Sequence, residues 1–475
     1  MTNPRVVLAV NHPDRDLAGL VLTALELCRR GVTCYLAPAN MLEREVWALR
    51  PDLVLLHFAR RGIDGFARQL AEAGIASAVL DTEGGVWESC DAYTELLWPD
   101  RALLAHVRPF CAWGPKLASH LTREGLFRAD QIAITGCPRF DFYHPDWRHV
   151  LAPADGDAAP RILINTNFSM SNPRFVSPET NVANLRDVYG WDAARVEALL
   201  DAERRAIDAV IAMAGDLARE FPHAQIVLRP HPFENPGRYG ELLALPNAEV
   251  NGRGPVQAQI ARARVVIQRS CTTAIESGFA GVPTLSPQWF EAPFLMPMAE
   301  EVSLPCDDYP MLRDAVAAAL SGTFVLPPPQ RAAIGQVTGD WFHTIDGRSH
   351  LRVSEAVEAG LPRERRVDER LCERLLYGLD GTRRPAAETV GRTIRHRLHL
   401  GPDWSFRRMR QVPSRWWDQS DKAFTASDVA AVIGRIRRHD GKGPDMPCTI
   451  DLARDAGECL HGTFGRAVRI RAREA

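Results

Sequence analysis

The feature that most constrains this chain is a series of short runs that are apolar throughout. They are "RVVLAV" (5–10), "TCYLAP" (33–38), "DLVLLHF" (52–58) and "ASAVLD" (76–81), followed by "PFCAWG" (109–114) and "QIAITG" (131–136). A strand with one wet face alternates polar and apolar residues. A continuous apolar run is instead buried on both faces, as parallel strands are. After the first run comes "LAGLVLTALELCRRG" (17–31), an amphipathic stretch that Gly31 brings to a stop. Strands alternating with helices in this way predict a doubly wound α/β sheet over residues 1–150.

The pattern breaks at "LAPADGDAAP" (151–160), which has no periodicity and reads as a linker. It then restarts with "RILINT", a long helix around 191–220, "QIVLRP", "ARVVIQ", a helix from about Thr272, and "VPTLS". A second sheet of the same kind is therefore expected over 161–345, with a mainly helical extension over 346–475 after the break at "FVLPPPQ". A chain of 475 residues is too long for one core, which agrees with two sheets.

Composition narrows the function. The formal net charge of −2 gives no global field for nucleic acid. No apolar stretch reaches the roughly 18 to 20 residues of a membrane span, and the first residues lack the apolar core of a signal peptide. A cytoplasmic protein is expected. The ten cysteines are scattered without C-x-x-C or a Cys/His cluster, so reduced structural thiols are expected and no metal site.

Ligands of doubly wound sheets bind beyond the carboxyl ends of the strands. Four such ends carry chemistry here. "RVVIQ" runs through Arg269 into "SCTTAIESG", placing Ser270, Thr272 and Thr273 where a helix begins and Glu276 one turn on. Free N–H groups and hydroxyls at a helix start make an anion site, although any one of these residues can equally be an N-cap. "IVLRPHPF" places Arg229 and His231 at another end, with Pro230 and Pro232 stiffening the backbone about the imidazole. Such a histidine can donate to a phosphate or shuttle a proton, or simply pack in a turn. "ASAVLDTEGG" delivers Asp81 and Glu83 as candidate bases, with Gly84 and Gly85 allowing substrate to approach the backbone. Asn165, Thr166 and Asn167, in "RILINTNF", can meet a phosphate or sugar hydroxyls, or equally stabilise the loop.

These residues in this order resemble bacterial surface-carbohydrate glycosyltransferases of the GT-B fold, especially the CMP-sugar-using sialyltransferases, polysialyltransferases and Kdo transferases. The resemblance rests on "DTEGG", "RPHP" and "RSCTTAIE" and covers roughly residues 5–350. It implies two Rossmann-like domains facing a cleft. A nucleotide-sugar donor would be held by the second domain and a glycan or lipid-linked glycan acceptor by the first. It makes Asp81 or Glu83 the base, His231 a phosphate ligand or acid, Ser270 with Thr272 and Thr273 phosphate ligands, and Glu276 the ribose ligand. Cys271 interrupts the hydroxyls, so which two form the pair stays open. A CMP leaving group carries one phosphate, so no metal or other cofactor is expected. Alternative implications are a GT-B sugar epimerase, a polyol-phosphate transferase or an inactive nucleotide-binding scaffold in polysaccharide assembly.

Residues 381–415 hold nine arginines against two acidic residues, with Trp404 and Phe406 among them. That balance suits an anionic membrane surface or an assembly partner, and equally a solvated helical face.

Overall fold

Strand β1 (Arg5–Val10) has Val6, Val7, Leu8 and Val10 entirely out of solvent, and the first sheet is ordered around it. Each such side chain contributes about 1.5–3 kcal/mol of burial. The computed structural model describes residues 3–151, 159–174, 176–187, 192–292, 296–377, 422–437, 448–452 and 467–472. The chain divides into two compact units, Met1–Phe142 with Asp340–Ala475, and Tyr143–Gly339.

In unit 1, β1 is followed by β2 (Thr33–Pro38), β3 (Leu53–Leu56), β4 (Ala76–Val79), β5 (Val107–Ala112) and β6 (Ile132–Ile134). They lie parallel in the order 2-1-3-4-5-6. The order reverses between β1 and β3, so the connections leave a crevice at the carboxyl ends of those two strands. Helix Ala18–Arg29 is buried nearly all round, with nine of its twelve residues out of solvent; Val21, Leu25 and Leu27 are almost fully covered.

Unit 2 contains β7 (Arg161–Asn165), β8 (Gln225–Arg229), β9 (Ala248–Val250), β10 (Ala263–Gln268), β11 (Thr284–Pro287) and β12 (Leu304–Cys306). Their order is 12-11-10-7-8-9, all parallel, with the reversal between β7 and β10. Helix Ala193–Glu220 starts at Asp192, whose carboxylate accepts the Arg195 N–H at 2.9 Å. Its Ile207, Val210 and Leu217 enter the core beside β7 and β8.

The doubly wound α/β build expected of both sheets is present, but the domain limits differ from those expected. The divide falls at Phe142, before the 151–160 stretch, and the extension 346–475 is no separate body. Helix Ser349–Ala359 is capped by Asp141, which accepts the Ser349 and His350 N–H groups at 2.9 and 2.8 Å and contacts His350 Nδ1 at 2.8 Å. A carboxylate at a helix start fixes that end against unit 1. The extension also holds two strands, β13 (Cys448–Leu452) and β14 (Val468–Ala472). β14 pairs antiparallel with β2, closing an edge that would otherwise be exposed, and β13 pairs with β14. Most of the described cysteines are buried, and all are free thiols. Among the described residues no helix is long and apolar enough to cross a membrane. The basic segment 381–415 lies outside the described residues.

Candidate functional sites

At the carboxyl end of β4 the chain turns through Asp81, Thr82 and Glu83. Asp81 is almost wholly buried and fully engaged. It is paired with the Arg60 guanidinium, accepts the Tyr93 hydroxyl at 3.0 Å and takes the Glu83 N–H at 2.8 Å. Burial raises its carboxyl above the usual range, with Arg60 working against that shift. Glu83 differs. Its side chain is 39% exposed and lies 2.7 Å from Arg60 and 3.5 Å from Arg15. Burial favours its protonated form, but Arg60 and Arg15 outweigh burial and hold it below the usual carboxylate value. Of the two expected bases, Glu83 is the ionised group open to a ligand, while Asp81 anchors the arginine between them.

Gly84 and Gly85 serve a neighbour that sequence reasoning did not foresee. A Cβ on Gly84 would stand 3.1 Å from the Trp113 ring, and one on Gly85 would stand 3.0 Å from both Trp113 and the Trp341 carbonyl oxygen. The close approach these glycines allow is that of tryptophan packing, which seats the loop carrying Glu83.

The carboxyl ends of β1 and β3 add His12, Arg15 and Asp16, then His57 and Arg60. Arg15 contacts Asp16 at 3.0 Å. His57 is buried, its Nδ1 has no partner among the described residues, and burial pushes its pKa down to about 3. Arg60 also lies over the faces of Phe58 and Trp87, at 5.4 and 4.8 Å. Sequence reading marks none of Arg15, Asp16, His57 and Arg60 as a site residue. Their shared position follows from parallel strands ending side by side, which only the strand order reveals.

In unit 2 the reversal between β7 and β10 collects the predicted hydroxyls. Helix Thr273–Ala280 begins there. Asn165, the last residue of β7, donates from Nδ2 to Thr273 Oγ1 at 3.0 Å, while its buried Oδ1 has no partner among the described residues. Thr272 is the residue before the helix and makes no side-chain cap. Ser270 is bent into the left-handed region (φ 58°), and its Oγ accepts the Met296 N–H. The Ser270 N–H donates to Glu300 Oε1 at 2.8 Å, and Glu300 also pairs with Arg269. Ser270 is thus tied to the start of helix Pro297–Glu301, leaving Thr272 and Thr273 as the hydroxyls at the helix start. Glu276 is buried and accepts the Tyr143 hydroxyl at 2.6 Å.

His231 is held at the end of β8 by a residue the sequence reading passed over. Glu234, buried among polar groups, accepts the His231 N–H at 3.1 Å and the Phe168 N–H at 2.9 Å. It also takes the hydroxyls of Thr166 and Tyr239. The Phe233 N–H donates to His231 Nδ1 at 3.2 Å, which places the ring proton of the neutral imidazole on Nε2. An acid three residues after His231 is the signal that could have exposed this clamp. Arg229 faces elsewhere than expected: it donates to the carbonyls of Arg253 and Gly254 at 3.1 and 2.7 Å. Pro232 is exposed, and Asn167 is half-buried beside Thr166.

No family model matches the chain, and no curated protein matches it. Solved structures do. A Listeria monocytogenes protein assigned as a UDP-N-acetylglucosamine 2-epimerase aligns over 77% of this chain and 98% of its own, at 13% identity and a TM-score of 0.48. The UDP-GlcNAc 2-epimerase of Neisseria meningitidis, bound to UDP-GlcNAc, aligns over 75% and 100%, at 12% and 0.46. The wall teichoic acid polymerase TagF aligns over 61% and 69%, at 10% and 0.38.

Proposed function

We propose that the protein is a metal-independent glycosyltransferase that moves a sugar from a CMP-activated donor to a surface-polysaccharide acceptor. The observation that carries this reading is the strand reversal of unit 2. There a helix start with two hydroxyls, the unpartnered Asn165 Oδ1 and the end of the strand bearing the clamped His231 all belong to adjacent strands. Helix-start N–H groups and the helix dipole favour a phosphate. A neutral histidine with its proton on Nε2 can donate to the departing phosphate oxygen. Asn165 Oδ1 is free to accept from a sugar or base donor.

Unit 1 takes the acceptor in this reading. The acceptor hydroxyl gives its proton to the Glu83 carboxylate as its oxygen bonds to the anomeric carbon. The bond from that carbon to the CMP phosphate breaks, and the phosphate keeps the electron pair. Arg60 and Asp81 orient Glu83 without touching the reacting atoms. The nine arginines of segment 381–415 suit a lipid-linked acceptor at the anionic inner face of the cytoplasmic membrane.

Thermal-shift titration with CMP, CDP, UDP and GDP tests the donor assignment. CMP or CDP should stabilise the protein more than UDP or GDP, and His231→Ala should lower turnover about 10²- to 10⁴-fold. Preference for UDP transfers the site to the epimerase reading, and silence to all four nucleotides removes both enzyme readings.

A further inference from the structure

Two loops of unit 2, one after β7 and one after β8, run against each other as an antiparallel pair. The Arg174 N–H donates to the Phe233 carbonyl at 2.8 Å, and Pro173 bridges to Glu234. Asn172 and Asn235 exchange two bonds. The Asn235 N–H donates to the Asn172 carbonyl, and Asn172 Nδ2 to the Asn235 carbonyl, both at 3.0 Å. The first loop follows directly on Asn165, and the second carries His231. What holds the first loop therefore holds the second.

Two buried carboxylates tie the first loop. Glu234 takes the Phe168 N–H at 2.9 Å and the Thr166 hydroxyl. Glu203 takes the Ser171 N–H at 2.7 Å. Between these ties the Asn172 N–H closes a turn on the Phe168 carbonyl at 3.0 Å. Met170 packs against the cluster of Leu185, Val196, Leu199 and Leu200, and its carbonyl accepts Asn181 Nδ2 at 2.6 Å. Glu203 comes from the middle of helix Ala193–Glu220 and is 1% exposed. Its neighbours three and four positions away on that face, Leu199, Leu200, Ala206 and Ile207, are all apolar. A leucine would fit such a face at lower cost. The carboxyl supplies what leucine lacks, an acceptor for the Ser171 N–H.

Burial pushes Glu203 up to about 7, with the bond from Ser171 opposing and the charge of Glu234 adding to the rise. Glu234 is the charge that bears on it most. On helix Pro178–Asp187, Glu179 and Arg186 are exposed, as are Asp201 and Arg204 beside Glu203 on its own helix. Near neutral pH, Glu203 thus passes from a neutral acceptor to a second buried negative charge acting on Glu234. Water relieves such a charge, and the loop must lift from Glu203 to admit it.

We propose that Glu203 is a positioning residue of the unit 2 site. By holding the Ser171 N–H it sets the 166–172 loop, and through the Asn172–Asn235 pair it sets the loop that carries His231. The proposal rests on the reading that unit 2 binds the nucleotide donor. Glu203 touches no reacting atom. The site is held while Glu203 is neutral and loosens as pH rises and the carboxyl ionises.

Hydrogen exchange of the full-length protein, corrected for the intrinsic effect of pH, tests this at residues 166–172 and 228–235. Glu203→Leu should lower protection in both segments about tenfold or more, the equivalent of one hydrogen bond, while β10 stays as in the wild type. Glu203→Gln keeps an acceptor and should keep the protection. Unchanged protection in Glu203→Leu, loss confined to 166–172, or loss shared equally by β10 overturns the proposal. If Glu203→Leu does not fold, the pH profile decides. The wild type should lose about threefold or more of its protection in both segments between pH 6 and 8, and Glu203→Gln should lose none. Titration with the methyl ester of CMP, a phosphodiester that keeps one charge over this range, should show the same fall in affinity in the wild type alone. His231 is common to both proteins, so their difference isolates Glu203, and parallel profiles overturn the proposal. Absence of nucleotide binding at every pH counts against the donor reading. The exchange experiment contains no nucleotide and still decides whether Glu203 positions the His231 loop.

Discussion

Unit 1 crowds the carboxyl ends of its strands with full charges, Arg15, Asp16, Arg60, Asp81 and Glu83, locked to one another. Unit 2 lines the same ends of its strands with hydroxyls, an amide and an imidazole, and turns its carboxylates inward. Glu234 there accepts hydrogen bonds from backbone N–H groups and hydroxyls, and Glu300 adds those of the Ser270 N–H and the Ser286 hydroxyl to its pairing with Arg269. The same α/β build therefore carries two electrostatic styles. Paired charges keep an ionised carboxylate available for proton transfer. A helix start bearing hydroxyls and an amide keeps the positive end of its dipole for an incoming phosphate.

The sharpest way to break this contrast is to neutralise one carboxylate in each unit. Asp81→Asn leaves a buried site and the largely covered Arg60 with half its compensation gone and should cost about 3–5 kcal/mol in urea unfolding. Glu234→Gln keeps an acceptor for some of its four donors and should cost less, about 1–3 kcal/mol. Equal losses would mean that Arg60 gains nothing from Asp81 beyond a hydrogen bond.

Stability against pH should separate the units next. His57 titrates at about 3 when folded, against an ordinary 6.5. Between those values the unfolded chain takes up the proton and the folded one does not. The contribution of His57 is therefore complete above about pH 6.5 and is lost as pH falls towards 3. Glu203 in unit 2 is the reverse. Buried, with its Oε2 accepting the Ser171 N–H at 2.7 Å, it is pushed up to about 7 from an ordinary 4.5. Its contribution is complete below about pH 4.5 and is lost as pH rises through 7. His57→Asn should flatten the acid limb and Glu203→Gln the neutral one, each by about 1–3 kcal/mol at its far end. Denaturation of each variant across pH 3–8 checks both signs, and a shared slope would dissolve the distinction.

The smallest effect on stability should come from Glu83→Gln. Its side chain is partly exposed, so the unfolding midpoint should barely move while turnover falls at least a hundredfold. A loss of stability matching that of Asp81→Asn would make Glu83 a structural partner and leave unit 1 without an accessible base.

Much of the fold was legible because parallel strands announce themselves as apolar runs. Ten of the fourteen strands coincide with runs visible in the sequence, as "RILINT" does with β7. The unread ones lacked that signature. β9 and β12 are three residues long, and β14, "VRIRA", alternates charge with apolarity beside the edge strand β13, where Arg469 finds Asp451 at 2.7 Å. The helical reading of the extension fits Ser349–Ala359, Glu369–Tyr377 and Ala426–Arg437 but not its strands. In the candidate sites, residues within a motif were found, and residues acting across the sequence were not. Arg60 reaches Asp81 over 21 positions and Tyr143 reaches Glu276 over 133, distances at which no local pattern survives.

The pairing of β14 with β2 also gives the chain an order of assembly. Residues 143–339 form a unit from one uninterrupted stretch, and all of it has left the ribosome before β14 is made. The strands of residues 1–142 must wait, with the edge of β2 open, for a partner more than 400 residues downstream. An open parallel edge recruits other chains as readily as its own. Chains interrupted after Gly339 should therefore collect as aggregates through their first sheet while their second sheet folds. In this protein the part written first is the part finished last.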